Sequence, residues 1–364
     1  MIWGGQITPK KTLIIYETIA YNNILVFLFS CASVFLLYNA KISRFMLLPL
    51  SLLLLMCIYL PGANQYGFEK LINFGFPFLF GSILAAYIIE SGSKVLFYKY
   101  FLGFIILITI LSLIYKLNFG LFNRQTSFGL NGPIVFGRLM GLGIIISIFT
   151  DIRWKKTVWG LLGFGLFLSM SKGPIISMFV VCVIIHLTSS NTKFRIRKYI
   201  LPIAALFVLI FLFNNLDFSG ENRILLLLYR LKSGDFELSD FGSRVSLYFS
   251  TISYLKNNYL GCGLGCWSNV EQINSLGFFY PHNLILEVYT ELGFFVGTVF
   301  IIYSQLYLIS KDKVIFYLGS FITLSAMFSG DLVDSRYLVI ISTMSLYMKL
   351  NGYNHDIETA IVKR

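Results

Sequence analysis

Apolar residues in this chain gather into long runs separated by short polar segments. The runs lie at about 24–40, 45–60, 71–90, 100–116, 131–150, 157–171, 174–188, 199–213, 283–309, 314–329 and 337–350. A helix needs roughly 20 apolar residues to cross hydrocarbon, so the pattern predicts an all-α polytopic membrane protein with about 10–12 transmembrane helices. Residues 157–188 also read as a tight helical hairpin turning at Ser171-Lys172-Gly173-Pro174, since Gly and Pro favour a turn there. One polar segment, about 215–281, is far longer than a connector, and such loops are commonly functional. The chain therefore divides into N-terminal spans (1–214), a large loop (215–281), and C-terminal spans with a tail (282–364), all one membrane domain. Within the loop, Ser243–Lys256 has apolar Val245, Leu247, Phe249 and Ile252, an amphipathic mix suited to a helix on the membrane surface.

Composition agrees with the runs. The chain is 57% hydrophobic and only 13% charged, which leaves too little polar surface to cover a water-soluble globule. The net charge of +12 invites a nucleic-acid reading, but the basic residues form no single patch. They cluster between spans: Lys41 and Arg44; Lys94 and Lys99; Arg153, Lys155 and Lys156; Lys193, Arg195, Arg197 and Lys198; Lys311 and Lys313. These clusters alternate with loops poorer in Lys and Arg, so the positive-inside rule puts them in the cytoplasm. The loops near 61–70, 117–130, 172–174 and 330–336 and the large loop then face outside, with the C-terminus inside. The N-terminus falls outside unless 12–23 form an extra span. The first residues lack the pattern of a cleaved signal peptide.

The end of the large loop concentrates the candidate chemistry. It runs Gly-Ser-Arg244, the amphipathic segment, Gly261-Cys262-Gly263-Leu264-Gly265-Cys266, then Pro281-His282-Asn283, and Glu287 and Glu291-Leu292-Gly293 in an apolar helix. This ordered set resembles the O-antigen ligase/polymerase family. That family has an Arg early in the loop, a Gly-x-Gly-x-Gly-like turn, and His-Asn opening a helix that carries Glu-Leu-Gly. Ser171-Lys172-Gly173 sits where the family shows Ser-Arg-Gly, so a point charge replaces a forked donor. Arg124, ahead of Asn131-Gly132-Pro133, is similar to an Arg-then-Asn-Pro stretch.

The resemblance implies a GT-C-like glycosyltransferase of the bacterial inner membrane, with its active site facing the periplasm. The donor would be an undecaprenyl-diphosphate-linked glycan and the acceptor a sugar hydroxyl. His282 would be the catalytic base. Arg244, Lys172, Arg138 and Arg124 would bind the diphosphate. Asn283, Glu287, Glu291, Gly261, Gly263 and Gly265 would position substrate. Partners would be the lipid-linked glycan, membrane lipids, and a flippase and chain-length regulator, with no nucleic acid.

Elementary electrostatics points the same way. A helix N-terminus disfavours an imidazolium at His282 and attracts anions. Arg138 lies in an apolar span, where charge is expensive and usually functional, although it also fits a side chain snorkelling to the outer end. The chain has no Asp-x-Asp and no His or Cys cluster at metal-ligand spacing, so transfer without metal or cofactor is expected.

Blander readings stand beside each of these. His282 fits an interfacial histidine bonded locally, and Arg244 and Arg124 fit solvated loop charges. Lys172 fits a snorkelling lysine, and Glu287 and Glu291, one turn apart, fit a solvated or hydrogen-bonded pair near the interface. Asp331 and Asp334 read as ordinary loop carboxylates. The glycine run reads as a tight turn rather than a nucleotide loop, which needs a strand before it and a helix directly after. Cys31, Cys57 and Cys182 fit apolar packing, while Cys262 and Cys266 are placed for a local disulfide. Polymerisation of O-antigen or capsular repeat units is favoured over ligation to lipid A core. A glycan-lipid flippase or a non-catalytic scaffold are the rivals.

Overall fold

The computed structural model describes residues 44–119, 132–188, 243–270 and 280–353. Its helices are α1 (Leu47–Cys57), α2 (Gln65–Glu90), α3 (Lys94–Phe119), α4 (Pro133–Phe149), α5 (Lys155–Leu168), α6 (Lys172–Thr188), α7 (Ser243–Asn257), α8 (Leu284–Ser304), α9 (Lys313–Ser329) and α10 (Arg336–Leu350). Short 3₁₀ turns occupy Cys266–Asn269 and Leu306–Ile309, and the described residues include no strand. Three segments, Gln65–Glu90, Lys94–Asn118 and Leu284–Ile309, are long and apolar enough to cross a membrane. Shorter apolar helices accompany them, including α4, α6 and α9. The protein is an all-α membrane protein. Most apolar runs became helices within a few residues of their sequence bounds. The runs at 24–40 and 199–213 and most of the large loop lie outside the described residues.

Helix α3 shows how a bilayer sorts side chains. Tyr98, Leu102, Ile105, Thr109, Ser112 and Lys116 are buried at alternating spacings of three and four. Among them, Phe104, Leu107, Ile110 and Ile114 face outward. The outward face is the more apolar one, the reverse of a helix on a soluble protein. Packing without a water-driven hydrophobic force relies on small residues at contacts. Helix α4 packs on α5, α6 and α9, and α2 packs on α10. A Cβ at Gly141 of α4 would fall into the ring of buried Phe321 on α9, and one at Gly81 of α2 would fall into Ile340 of α10.

The two ends of the bundle differ. At one end, Lys94 at the start of α3 meets Asp312 at 2.5 Å, and Asp312 also caps α9 by accepting from the Val314 amide at 2.7 Å. This end gathers the described basic segments Lys94/Lys99, Arg153/Lys155/Lys156 and Lys311/Lys313, because α3, α5 and α9 all begin there. At the other end lie the starts of α2, α4, α6, α8 and α10, where the candidate residues converge.

The tight α4–α9 contact sets a stability expectation. Gly141→Leu overfills it and lowers stability by about 1–3 kcal/mol, the usual range for added core volume. Thermal unfolding of the purified protein in detergent reads this as a lower midpoint. Adding Phe321→Ala to Gly141→Leu should recover part of the loss, and no recovery would mean that the two helices do not meet there.

Candidate functional site

The site is built around the first half of α8. Asn283 caps this helix: its Oδ1 accepts from the Leu286 amide at 3.2 Å, and its Nδ2 donates to the Met327 carbonyl near the end of α9 at 3.2 Å. His282, one residue earlier, takes φ 58°, in the left-handed region that non-glycine residues avoid. The only other described non-glycine residue there is Met170, φ 49°, in the turn before Lys172. Strained backbone of this kind concentrates at functional sites. The His282 ring meets Tyr280 edge-on at 4.4 Å between centroids, and its carbonyl accepts from the Tyr248 hydroxyl of α7 at 3.3 Å.

Ten residues into α8 the helix breaks. Gly293 has φ 68° and ψ 178°, so the carbonyls of Thr290 and Glu291 lose their partners in the next turn. The loop after α7 fills the gap. Cys262 N donates to Thr290 O at 3.0 Å, Gly263 N to Glu291 O at 3.1 Å, and Phe294 N to Tyr259 O at 2.8 Å. Two backbones approach this closely only without side chains: a Cβ at Gly261 would strike the backbone of Gly293, and a Cβ at Gly293 would strike Leu260. Gly263 and Gly265 sit against the backbone of Gly62 and Gly67, so the turn is wedged between α8 and the start of α2. A Cys262–Cys266 disulfide closes this turn, as the spacing allowed. Buried Trp267 donates to Thr251 Oγ1 at 3.2 Å and packs on Leu247, which fastens α7 to the turn.

Before the break, α8 presents Glu287 and Glu291 inward. Both carboxylates contact the Lys70 ammonium of α2, Glu291 at 2.6 Å, with all three side chains closed to solvent. The other oxygen of Glu287 accepts from Leu332 N at 3.1 Å in the α9–α10 loop. In the same loop, Asp331 Oδ1 accepts from Asp334 N at 2.6 Å, and Asp334 pairs with Arg138 of α4 at 2.6 Å. Arg138 also donates through Nε to Ser325 Oγ at 2.9 Å, while its buried Nη2 has no hydrogen-bond partner among the described residues. Burial, then the charge of Asp334, pushes the Asp331 carboxyl up to about 6. Burial first, then Asp331, Asp334 and Glu287, pushes the Tyr280 phenol well up, with Arg138 opposing. These dependences put Tyr280, beside His282, within electrostatic reach of the Arg138–Asp334 pair.

The structure thus brings His282, Asn283, Glu287, Glu291 and Arg138 to one end of the bundle. Lys172 belongs to that end too: the Ser169–Pro174 turn packs on Gly137, next to Arg138, and the Lys172 side chain is exposed. Arg244 lies in the first turn of α7, one turn before Tyr248. Its side chain and the whole of Arg124 fall outside the description. Arg138 does not snorkel; it is buried and paired. Glu287 and Glu291 are not a solvated pair, and Asp334 is not a plain loop charge. Sequence reasoning missed Lys70 because the apolar run was started at 71, whereas α2 begins at Gln65 and draws Lys70 inside. A cation at the margin of an apolar run, with two carboxylates one turn apart in another, was the available signal.

Comparison with known proteins bears on the same stretch. No curated protein matches the chain. Residues 157–301 match the family model described as O-Antigen ligase. That segment runs from α5 to beyond the break in α8, and so holds Lys172, Arg244, the glycine turn, His282, Asn283, Glu287 and Glu291. Over this segment, less than half of its length, the chain is similar to the O-antigen ligase/polymerase family.

Proposed function

We propose that the protein transfers glycan from an undecaprenyl-diphosphate-linked donor to a sugar hydroxyl at the outer face of the cytoplasmic membrane, joining O-antigen or capsular repeat units. The observation that carries this reading is the placement of His282. It stands in a strained turn at the mouth of α8, at the bundle end that also holds Arg138 and Lys172. His282 accepts the proton of the attacking hydroxyl. The hydroxyl oxygen bonds to the anomeric carbon as the bond from that carbon to the diphosphate breaks, and the diphosphate leaves with the bonding pair. Arg244 and Lys172 hold the departing anion, helped by the remaining donors of Arg138 and by Arg124. Asn283 and the glycine turn fix α8, and Glu287 and Glu291 orient its first turn. The role needs no metal.

Two observations support an outer location. The Cys262–Cys266 disulfide lies at the site end, and disulfides persist in oxidising compartments. The basic segments gather at the opposite end, the cytoplasmic one by the positive-inside rule. The family description also favours a second reading, ligation of the finished glycan to lipid A core. Both readings use the same donor and the same departing diphosphate. A flippase and a chain-length regulator would be the working partners.

Replacing the base tests the reading. His282→Ala should cut turnover by roughly 10²–10⁴-fold with purified enzyme and lipid-diphosphate glycan, while donor binding holds. His282→Gln keeps a polar side chain but cannot take up the proton, so it should be nearly as impaired. Near wild-type turnover in His282→Gln would move proton removal to another group, such as Asp331.

Orientation is checked separately. A single cysteine at 235 should react with an impermeant maleimide added to intact spheroplasts, and one at 195 only after lysis. The reverse pattern would put the site on the side away from the proposed donor.

A further inference from the structure

Glu287 and Glu291 are assigned above to orienting the first turn of α8; the residue that holds them is Lys70. It lies in the second turn of α2, outside the family-matched segment, and its side chain is fully buried. One ammonium serves two carboxylates, and it also stands 4.9 Å from the centroid of the Tyr66 ring. A buried charged trio is a costly way to join helices, since apolar side chains of similar volume usually pack at least as stably. What charge adds is direction: the ammonium and the carboxylates meet in few geometries, whereas apolar groups slide.

Direction matters here because α8 is cut at Gly293. The stretch from Leu284 to Leu292 is not held in line by a continuous helix. Its orientation depends on contacts at its two ends and on its buried face. The Asn283 cap on Met327 fixes one end, and the loop amides of Cys262 and Gly263 fix the other. Lys70 fixes the face between them, at residues five and nine positions after His282. Glu287 passes the constraint on through Leu332 N to the loop whose Asp334 holds Arg138. One cation on α2 therefore stands behind both the histidine and the arginine of the site.

We propose that Lys70 is a positioning residue for the transfer reaction, acting through Glu287 and Glu291 to set the first half of α8 and, through Leu332, the loop that holds Arg138. This rests on the glycan-transfer reading. The test uses purified full-length protein with a lipid-diphosphate glycan donor, and reads kcat, donor KM and unfolding temperature together. Lys70→Met should lower kcat roughly 10–100-fold, the effect of a small misplacement of reacting groups, with donor KM within about twofold. Lys70→Arg keeps the cation and should recover at least tenfold of that loss. Because Lys70→Met strands two buried carboxylates, at a cost to folding, Lys70→Met/Glu287→Gln/Glu291→Gln serves as the neutral control. It should unfold near the wild-type temperature yet stay at least tenfold low in kcat. A neutral triple variant with wild-type kcat would show that only charge balance was needed, and would overturn the proposal. So would Lys70→Met with unchanged kcat. A wild-type protein that transfers nothing overturns the glycan-transfer reading itself, and this proposal with it, before any variant is compared.

Discussion

Backbone hydrogen bonding around the break in α8 is the constraint on which the site end depends. Inside a membrane bundle, an unsatisfied peptide group costs several kcal/mol, because no water reaches it. Breaking a helix at Gly293 frees carbonyls at Thr290 and Glu291 and an amide at Phe294. The segment 259–263 supplies partners for all three. That requirement dictates glycine at 261 and 293, where the chains touch. It also pins the turn to the start of α2, where Asn64 donates to Gly265 O at 3.0 Å and accepts from Gly67 N at 2.8 Å. Three regions far apart in sequence are thereby locked before any functional side chain is considered.

From that lock the polar side chains follow in order. The first half of α8, freed from the second, lies where both its glutamates reach Lys70. Glu287 then takes a backbone amide of the α9–α10 loop, and the loop returns Asp334 to Arg138. Energetically this chain of contacts is not the source of fold stability; buried ion pairs contribute little net and cost much when one member is lost. Its effect is to hold His282, Asp331 and Arg138 in a fixed relation, in a region of low dielectric where charge acts strongly. The opposite end uses a simpler device, one Lys94–Asp312 pair over a helix cap and two tyrosine hydroxyls, Tyr347 and Tyr353, on Glu90.

The spans were legible because each apolar run is about as long as the helix it forms, and because charge is scarce within them. The hairpin at Ser171-Lys172-Gly173-Pro174 and the helix from Ser243 were legible for the same local reasons: turn formers in one case, apolar spacing in the other. Within the site, the helix-opening His282-Asn283 pair was readable from sequence, since a cap is local chemistry. The partner of the two glutamates was not. Lys70 is 217 residues before Glu287, and nothing local distinguishes it from a lysine at a span's edge. The glycine run was read as a tight turn, and what it approaches, the break in α8, is a long-range fact that no window of sequence contains. Asp334 was misread for a related reason, because its partner Arg138 stands in another helix.

The account turns on one claim, that the end of the bundle around His282 makes a glycosidic bond at the expense of a lipid diphosphate. The direct measurement is product analysis in liposomes that hold the purified protein and a labelled undecaprenyl-diphosphate repeat unit, with EDTA present. The account predicts a ladder of longer lipid-linked glycans together with released undecaprenyl diphosphate. Donor that crosses the bilayer unchanged, with no new glycosidic bond and no released diphosphate, would contradict it.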